Sequence, residues 1–329
     1  AFILTSLAGV LSATAPVLLA ALGETLSERS GVMNLSINGA ILLSAMTGFA
    51  AASGTGSLLL GFVAGMAVGA AVAMILAFSS IALRQSQVAV GFVLTMLCRD
   101  LAYFFGAPFM GQSGPRLDPS PLPGLCEIPF LGPLLFRQDV ITYLSLALVP
   151  GLGWWIYRSR YGLLLRGIGE RPEAAYARGV PVNRLRYVYT IAGGALVGLA
   201  GPAYSLNIKA GWKGAISGLD GIGWIVLAIV IFGGWNPWRV AFGCGLFTFL
   251  QWLGLILQDQ FPGIPSQVLQ VAPFPLMILT LLIVDVGDTE WMTRVLTLSP
   301  EPLKRWMIRL TRFFRSTPPA ALGTPFEES

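Results

Sequence analysis

Five polar side chains interrupt the stretch GETLSERSGVMNLSINGAILLSA (residues 23–45). Glu24, Glu28, Arg29, Asn34 and Asn38 stand between two apolar runs, where a lipid-facing helix carries leucine. Carboxylates, a guanidinium and amides in that setting supply hydrogen-bond donors and acceptors for recognising a polar solute, and polarity at membrane depth is tolerated only where protein or a water-filled cavity receives it. Further along, Asp220 and Asn236 flank another apolar run, and Trp212 and Trp224 offer aromatic faces able to stack on a ring. Each of those tryptophans is equally readable as packing or as interfacial belt. Two readings also stand for Glu24, Glu28 and Arg29: part of a solute path, or a tight turn between two spans closed by a local ion pair. Arg99 and Asp100 are neighbours in a fourth apolar run, and adjacent helical residues do not face one another, so each needs another partner.

The elements that position these groups are membrane helices. Hydrophobic residues make up 55% of the 329 residues and charged ones only 11%, against about 25% in soluble proteins. Mean hydropathy is +0.72. A soluble core of that composition would have no surface left to dissolve it. The chain has no histidine, and Cys98, Cys126 and Cys244 are far apart without paired spacing, so metal, His-base and disulfide chemistry lose their usual carriers. No catalytic constellation is visible, which sets a membrane enzyme third among the readings. No nucleic-acid partner is expected. The first apolar run lacks a basic n-region and reads as a span rather than a signal peptide.

Apolar windows of about 20 residues predict an all-α polytopic fold of about nine spans. They fall at about 2–23, 32–52, 57–83, 87–106, 140–158, 187–208, 221–235, 239–258 and 268–285. Lys and Arg accumulate in cytoplasmic loops, and the segment from Tyr157 to Tyr187 holds seven arginines against Glu170 and Glu173, so it lies inside. Counting outward from it places Arg84 and the C-terminal tail inside, with the Pro/Gly-rich loop 107–139 and the N-terminus outside. Residues 1–285 form the transmembrane domain and 286–329 a cytoplasmic tail. In that tail about 300–315 reads as a basic amphipathic helix at the membrane surface, and STPPAALGTPFEES (residues 316–329) as disordered.

A weak inverted repeat lies in the polar breaks. SINGAILLSAMTG (36–48) can be laid beside GLDGIGWIVLAIVIFGG (218–234): each places Asn38 or Asp220 before a glycine and an apolar run that ends at glycine. Paired, Gly-interrupted short segments of opposite topology point to a substrate path at the repeat interface, with the two polar residues at helix N-termini. In the inner loop, Pro172 fits a first helical position, Glu173 suits the positive end of the helix dipole, Gly179 can close the helix in the left-handed conformation and Pro181 bars its continuation. A helix of about two turns is too short to stand alone in water. It is either a docking element for a soluble partner or a surface turn packed on its own bundle.

At these residues a family resemblance is plain. LLLRGIGERPEAAYARGV looks like the coupling-helix segment of bacterial ABC importer permeases of the branched-chain amino acid, sugar and nucleoside class. ALGETLSERSGVMNLSINGAILLSA and GWIVLAIVIFGGWNPW resemble an early and a later motif of the nucleoside (simple sugar) type, and the likeness runs from about residue 10 to about 285. Glu170, Arg171, Pro172, Glu173, Ala174, Ala175 and Gly179 fall in the coupling segment; Glu28, Asn34 and Asn38 in the early motif; Trp224 and Asn236 in the later one. Asn38 stands where the nucleoside-type pattern usually has glutamate.

What the resemblance implies is a pore-forming subunit, not an enzyme, in the bacterial inner membrane. It pairs with a homologous second permease, a cytoplasmic ABC ATPase that engages the coupling helix, and an external substrate-binding lipoprotein. The chain has no G-x-x-x-x-G-K-[ST] loop, so ATP and Mg would be bound by the partner and no cofactor by this chain. The expected mechanism is alternating access around a midplane cavity, with Glu28, Asn34, Asn38, Trp212, Asp220, Trp224 and Asn236 as the candidate path for a nucleoside or simple sugar. Branched-chain amino acids are an alternative cargo. An ion-coupled secondary transporter is the rival class, with Asp220 as its candidate acid.

Overall fold

A computed structural model describes residues 2–260, apart from residues 122, 129, 130 and 210, together with residues 317–327. The described elements are helical: α1 (Phe2–Arg29), α2 (Ile37–Thr55), α3 (Leu58–Ala77), α4 (Gln87–Gly106), α5 (Leu131–Leu135), α6 (Val140–Arg158), α7 (Arg160–Glu170), α8 (Pro172–Tyr176), α9 (Val182–Ala203), α10 (Ile222–Phe232) and α11 (Pro237–Gln260). Starts are set by side-chain caps where the sequence supplies them. Ser57, Ser86, Asp139 and Ser159 each accept a backbone N–H in the first turn of α3, α4, α6 and α7.

Among the described residues six helices are long and apolar enough to cross a bilayer: Ser6–Arg29, Ile37–Thr55, Leu58–Ala82, Gln87–Phe109, Val140–Arg158 and Val182–Ile208. Three sequence expectations are corrected. The first span does not stop near residue 23: α1 continues through the polar stretch to Arg29, and Ser30 and Gly31 (φ 94°) end it with N–H bonds back to Ser27 and Glu28. The span expected at 221–235 is an 11-residue helix, about 16 Å long at 1.5 Å per residue, roughly half the hydrocarbon thickness. Gly221 (φ 99°) starts it late, and a Gly233–Gly234–Trp235 turn ends it early. The stretch 317–327, expected to be disordered, is packed against the helical body. α11 occupies the place of the eighth expected span; the ninth, at 268–285, and the amphipathic helix at 300–315 lie outside the described residues.

Burial divides the helices into an inner and an outer set. In the most apolar stretch of each span, 72% of α9 and 67% of α2 is buried but only 28% of α4, so α2 and α9 are interior while α4 presents a face outward. A seam of small residues lets α3 and α9 approach closely: Gly65 and Gly69 on α3 meet the backbone of Gly194 and Gly198 on α9. Lipid offers no hydrophobic drive for helix association, so this small-residue contact is a main source of cohesion there.

Candidate functional site

The two stretches paired in sequence meet in space. Asn38, in the first turn of α2, accepts at Oδ1 the N–H groups of Gly221 (2.8 Å) and Gly223 (3.2 Å) at the start of α10, and donates from Nδ2 to Asp220 Oδ1 at 2.8 Å. It therefore caps α10 from a different helix, satisfying donors that a helix N-terminus leaves open. The approach is close enough that a Cβ on Gly223 would lie 2.3 Å from the Asn38 Cα. An amide at position 38 also has a local reason. Its N–H partner is itself a carboxylate, which a second carboxylate at position 38 would repel.

Asp220 gathers a polar group on the outward face of α4. Arg99 Nε lies 2.7 Å from Asp220 Oδ2, the Tyr103 hydroxyl donates to the same oxygen at 3.2 Å, and the Arg99 guanidinium sits over the Tyr103 ring at 5.5 Å. Phe92, Arg99 and Tyr103 recur at helical spacing, so one stripe of α4 faces α10. Trp224, one turn after Asp220, stands 5.3 Å from the Phe92 ring. Trp212 is buried behind this group, 6.3 Å from the Tyr103 ring, and its indole N–H finds no acceptor among the described residues. Arg99, which the sequence marks with Asp100 as needing a partner beyond its neighbour, finds it in Asp220, whereas Tyr103 is not among the residues singled out from the sequence. Its signal was the charge of Arg99 one turn earlier in the same span.

Glu28, Asn34 and Asn236 are not part of that group. Asn34 is a buried turn residue: its N–H reaches Glu24 Oε1 (3.1 Å), and its Oδ1 accepts the Ser36 N–H (3.1 Å). Glu28 accepts the indole N–H of Trp235, while Arg29 Nε donates to the Trp235 carbonyl at 2.7 Å and Arg29 Nη2 to the Tyr157 hydroxyl at 2.9 Å. In place of the local ion pair that one reading gave to Glu24, Glu28 and Arg29, Glu28 and Arg29 jointly hold Trp235, some 206 residues away. Trp235 needs that hold, since its φ of 55° is unfavourable for a bulky side chain by about 1–3 kcal/mol. Asn236 follows it and accepts the Trp238 N–H (3.0 Å), capping α11. Trp235→Ala is expected to take the indole donor from Glu28 while leaving Arg29 its backbone carbonyl, and to lower thermal stability by about 3 kcal/mol, read as a fall in melting temperature.

The segment 170–179 has the predicted punctuation. Pro172 opens α8 and is buried, Glu173 and Ala174 are exposed, and Gly179 (φ 81°) closes the turn with its N–H on the Tyr176 carbonyl at 2.8 Å. The helix is five residues, shorter than the two turns expected, and Glu170 and Arg171 precede it in the α7–α8 corner. What holds it is partly the apolar cluster of Leu26, Ile156, Leu165, Ile168, Val182 and Tyr189, on which Ala175 and Phe326 pack. The rest is the 317–327 stretch. Ala321 N–H bonds the Gly169 carbonyl (2.9 Å), Gly323 N–H the Gly31 carbonyl (3.1 Å), Arg186 Nη1 the Thr324 carbonyl (3.0 Å), and Phe326 lies edge-on to Tyr176 at 5.8 Å. Deleting residues 317–329 is expected to speed tryptic cleavage after Arg178 by about tenfold, because the helix loses a wall that its own length cannot replace. Unchanged cleavage would refute that support.

A bundle with six helices long and apolar enough to cross a bilayer, and a polar group set between one of them and a half-length helix, is the architecture of a multi-pass membrane protein. The sequence pattern of the branched-chain amino acid transport system permease components matches residues 6–284, and the chain belongs to that family. It is 40% identical over 262 residues to a putative glucose ABC transporter permease of Haloferax volcanii, covering 77% of this chain and 78% of that one. It is 32% identical to a guanosine ABC transporter permease of Bacillus subtilis (81% and 88% covered) and 30% to a nucleoside ABC transporter permease of Lactococcus lactis (83% and 90%). Among solved structures, an inward-facing putative metal-chelate type ABC transporter superposes with a TM-score of 0.47 at 18% identity over 84% of each chain.

Proposed function

We propose that this chain is the permease subunit of an ATP-driven importer for a simple sugar or nucleoside, and that α4 and the start of α10 form its half of the solute path. The observation that carries this reading is the partly exposed group Arg99–Asp220–Tyr103 with Asn38 behind it, on the open face of a spanning helix. Lipid cannot receive an ion pair there without large cost, so that face opens onto a watered path or a second permease. Val93, Met96 and Phe104 extend the same helix as exposed apolar surface for the second subunit. Tyr103, Arg99 and Asp220 can read ring hydroxyls, and Phe92 with Trp224 can stack on a flat or apolar ring face. The named cargoes of the relatives, glucose, guanosine and nucleosides, share such a ring and its hydroxyls. A proton- or ion-coupled carrier would need Asp220 free to change charge, and its pairing with Arg99 speaks against that role.

In this reading the protein sits in the cytoplasmic membrane with its N-terminus outside and its tail inside. A separate ATPase binds ATP and Mg and seats on Glu170 to Gly179, and an external binding lipoprotein delivers the solute. Closure of the ATPase pushes the exposed Glu173 face, and α8 passes the push to α1 and α9 through the cluster beneath Ala175. The test is uptake of labelled glucose, uridine, adenosine and leucine by cells lacking the chain, restored with wild type or Glu173→Arg. Wild type alone should restore a sugar or nucleoside, and a cassette ATPase should co-purify with wild type. Uptake indifferent to Glu173→Arg, without a co-purifying ATPase, would refute the importer reading.

A further inference from the structure

The open face of the 170–179 segment is small. Eight of its ten residues are exposed, while Pro172 is buried and Ala175 packs on the cluster beneath. A stable protein interface takes roughly 20–30 residues a side, so a partner seated on this segment has to cover its neighbours as well. On one side those neighbours are the tail. Phe326 lies edge-on to Tyr176 with the ring centroids 5.8 Å apart, and Gly323, Thr324, Pro325 and Glu327 around it are exposed. Glu327 pairs with Arg84. The strip therefore runs from α8 across to the turn between α3 and α4.

The strip is held ready for a partner. Ala320 N–H reaches Glu170 Oε2 at 3.5 Å, Gly323 N–H bonds the Gly31 carbonyl, and Arg186 Nη1 bonds the Thr324 carbonyl. Arg186 is buried, so this last anchor is dry and fixes the backbone one residue before the exposed Pro325. A loop fixed in advance loses little conformational entropy when it is covered. The chemistry of the face says what covers it. Tyr176, 37% exposed, and Phe326 form an aromatic pair, and Arg171 and Arg178 are exposed at the two ends of α8. Aromatic anchors beside arginines are the composition that carries binding, and they fit an apolar pocket with carboxylates on its rim.

We propose that residues 323–327 form one docking surface with α8 for the ATPase, in which Phe326 and Tyr176 enter an apolar pocket and Arg171 and Arg178 meet acidic groups at its rim. This rests on the importer reading and extends the contact from one short helix to the tail. Because the strip is bonded to Gly31 and Arg186, a push on it reaches the end of α1 and the start of α9 together with α8.

The full-length permease is placed in nanodiscs, and the cassette ATPase that co-purifies with it is separated and titrated back. Pro325→Glu adds a charge of the wrong sign at an exposed position that makes no hydrogen bond, and Phe326→Ala removes the aromatic anchor. Each should weaken ATPase binding by about tenfold. Pro325→Glu should keep the wild-type rate of tryptic cleavage after Arg178, which separates docking from mere support of α8. Wild-type affinity in both tail variants, beside lost binding in Glu173→Arg, overturns the tail surface and leaves the importer reading standing. Weaker binding of Pro325→Glu accompanied by faster cleavage after Arg178 assigns the tail to support alone and also overturns it. A wild-type permease that brings down no ATPase overturns this surface and the importer reading together.

Discussion

Asn38→Leu is expected to reduce uptake to background and to lower stability by about 3 kcal/mol or more. The substitution keeps the number and branching of the side-chain heavy atoms, so its main effect is polar. It leaves the Gly221 and Gly223 N–H groups without their acceptor at the start of α10 and takes a donor from Asp220. Each unsatisfied buried group costs about 1–3 kcal/mol. Asp220 would then answer to Arg99 and Tyr103 alone and swing toward α4, which unseats the first turn of α10 and with it Trp224. Asn38→Asp separates the two jobs of the side chain, because a carboxylate keeps the acceptor for α10 while repelling Asp220. It should fold better than Asn38→Leu and still transport poorly. A double-mutant cycle with Asp220→Ala should give a coupling of about 1–2 kcal/mol between the two positions. Wild-type melting and uptake in Asn38→Leu would mean that α10 does not depend on this cap.

The positions of most spans were legible because a lipid-facing helix must be apolar throughout, a constraint that local composition carries. The punctuation of α8 was equally local: Pro172 and Gly179 act through their own backbone angles. The meeting of Asn38 with Asp220 was legible only as a faint repeat, since the hydrogen bonds run across 182 residues. What was lost had the same cause. Glu24 and Glu28 looked like the end of a span because carboxylates are foreign to an apolar helix, yet α1 runs on through them, with the Asn34 N–H on Glu24 Oε1 and the Trp235 indole on Glu28. The apolar run at 222–232 looked like a full span because hydropathy does not register a turn that depends on Trp235 adopting φ 55°. The 317–327 stretch, rich in proline and small residues, looked disordered, and its order comes from carbonyl and N–H partners on α7, α9 and the Gly31 turn.

The G-x-x-x-G spacings at Gly61, Gly65 and Gly69 and at Gly194 and Gly198 were present in the sequence and carry the second large prediction. Gly69→Leu is expected to leave no monodisperse protein in fluorescence-detected size exclusion. A Cβ at Gly69 would lie 2.2 Å from the Gly194 carbonyl oxygen and 2.5 Å from the Gly198 Cα, and these are backbone atoms that cannot rotate away. The α3 and α9 axes would have to part along the seam, and α9 is the most buried span, packed also against α1 and α2. Gly69→Ala should fold but melt lower, by about 1–3 kcal/mol, the usual cost of overpacking. Gly151→Ala on α6 is the control, since no atom lies within 4 Å of its Cβ position. There the gain in helix propensity, up to about 1 kcal/mol, should leave stability unchanged or slightly raised. If Gly69→Ala and Gly151→Ala melt alike, close backbone approach is not what binds α3 to α9. The path at α10 would then need a different scaffold, because α2, which presents Asn38, is positioned by these same two helices.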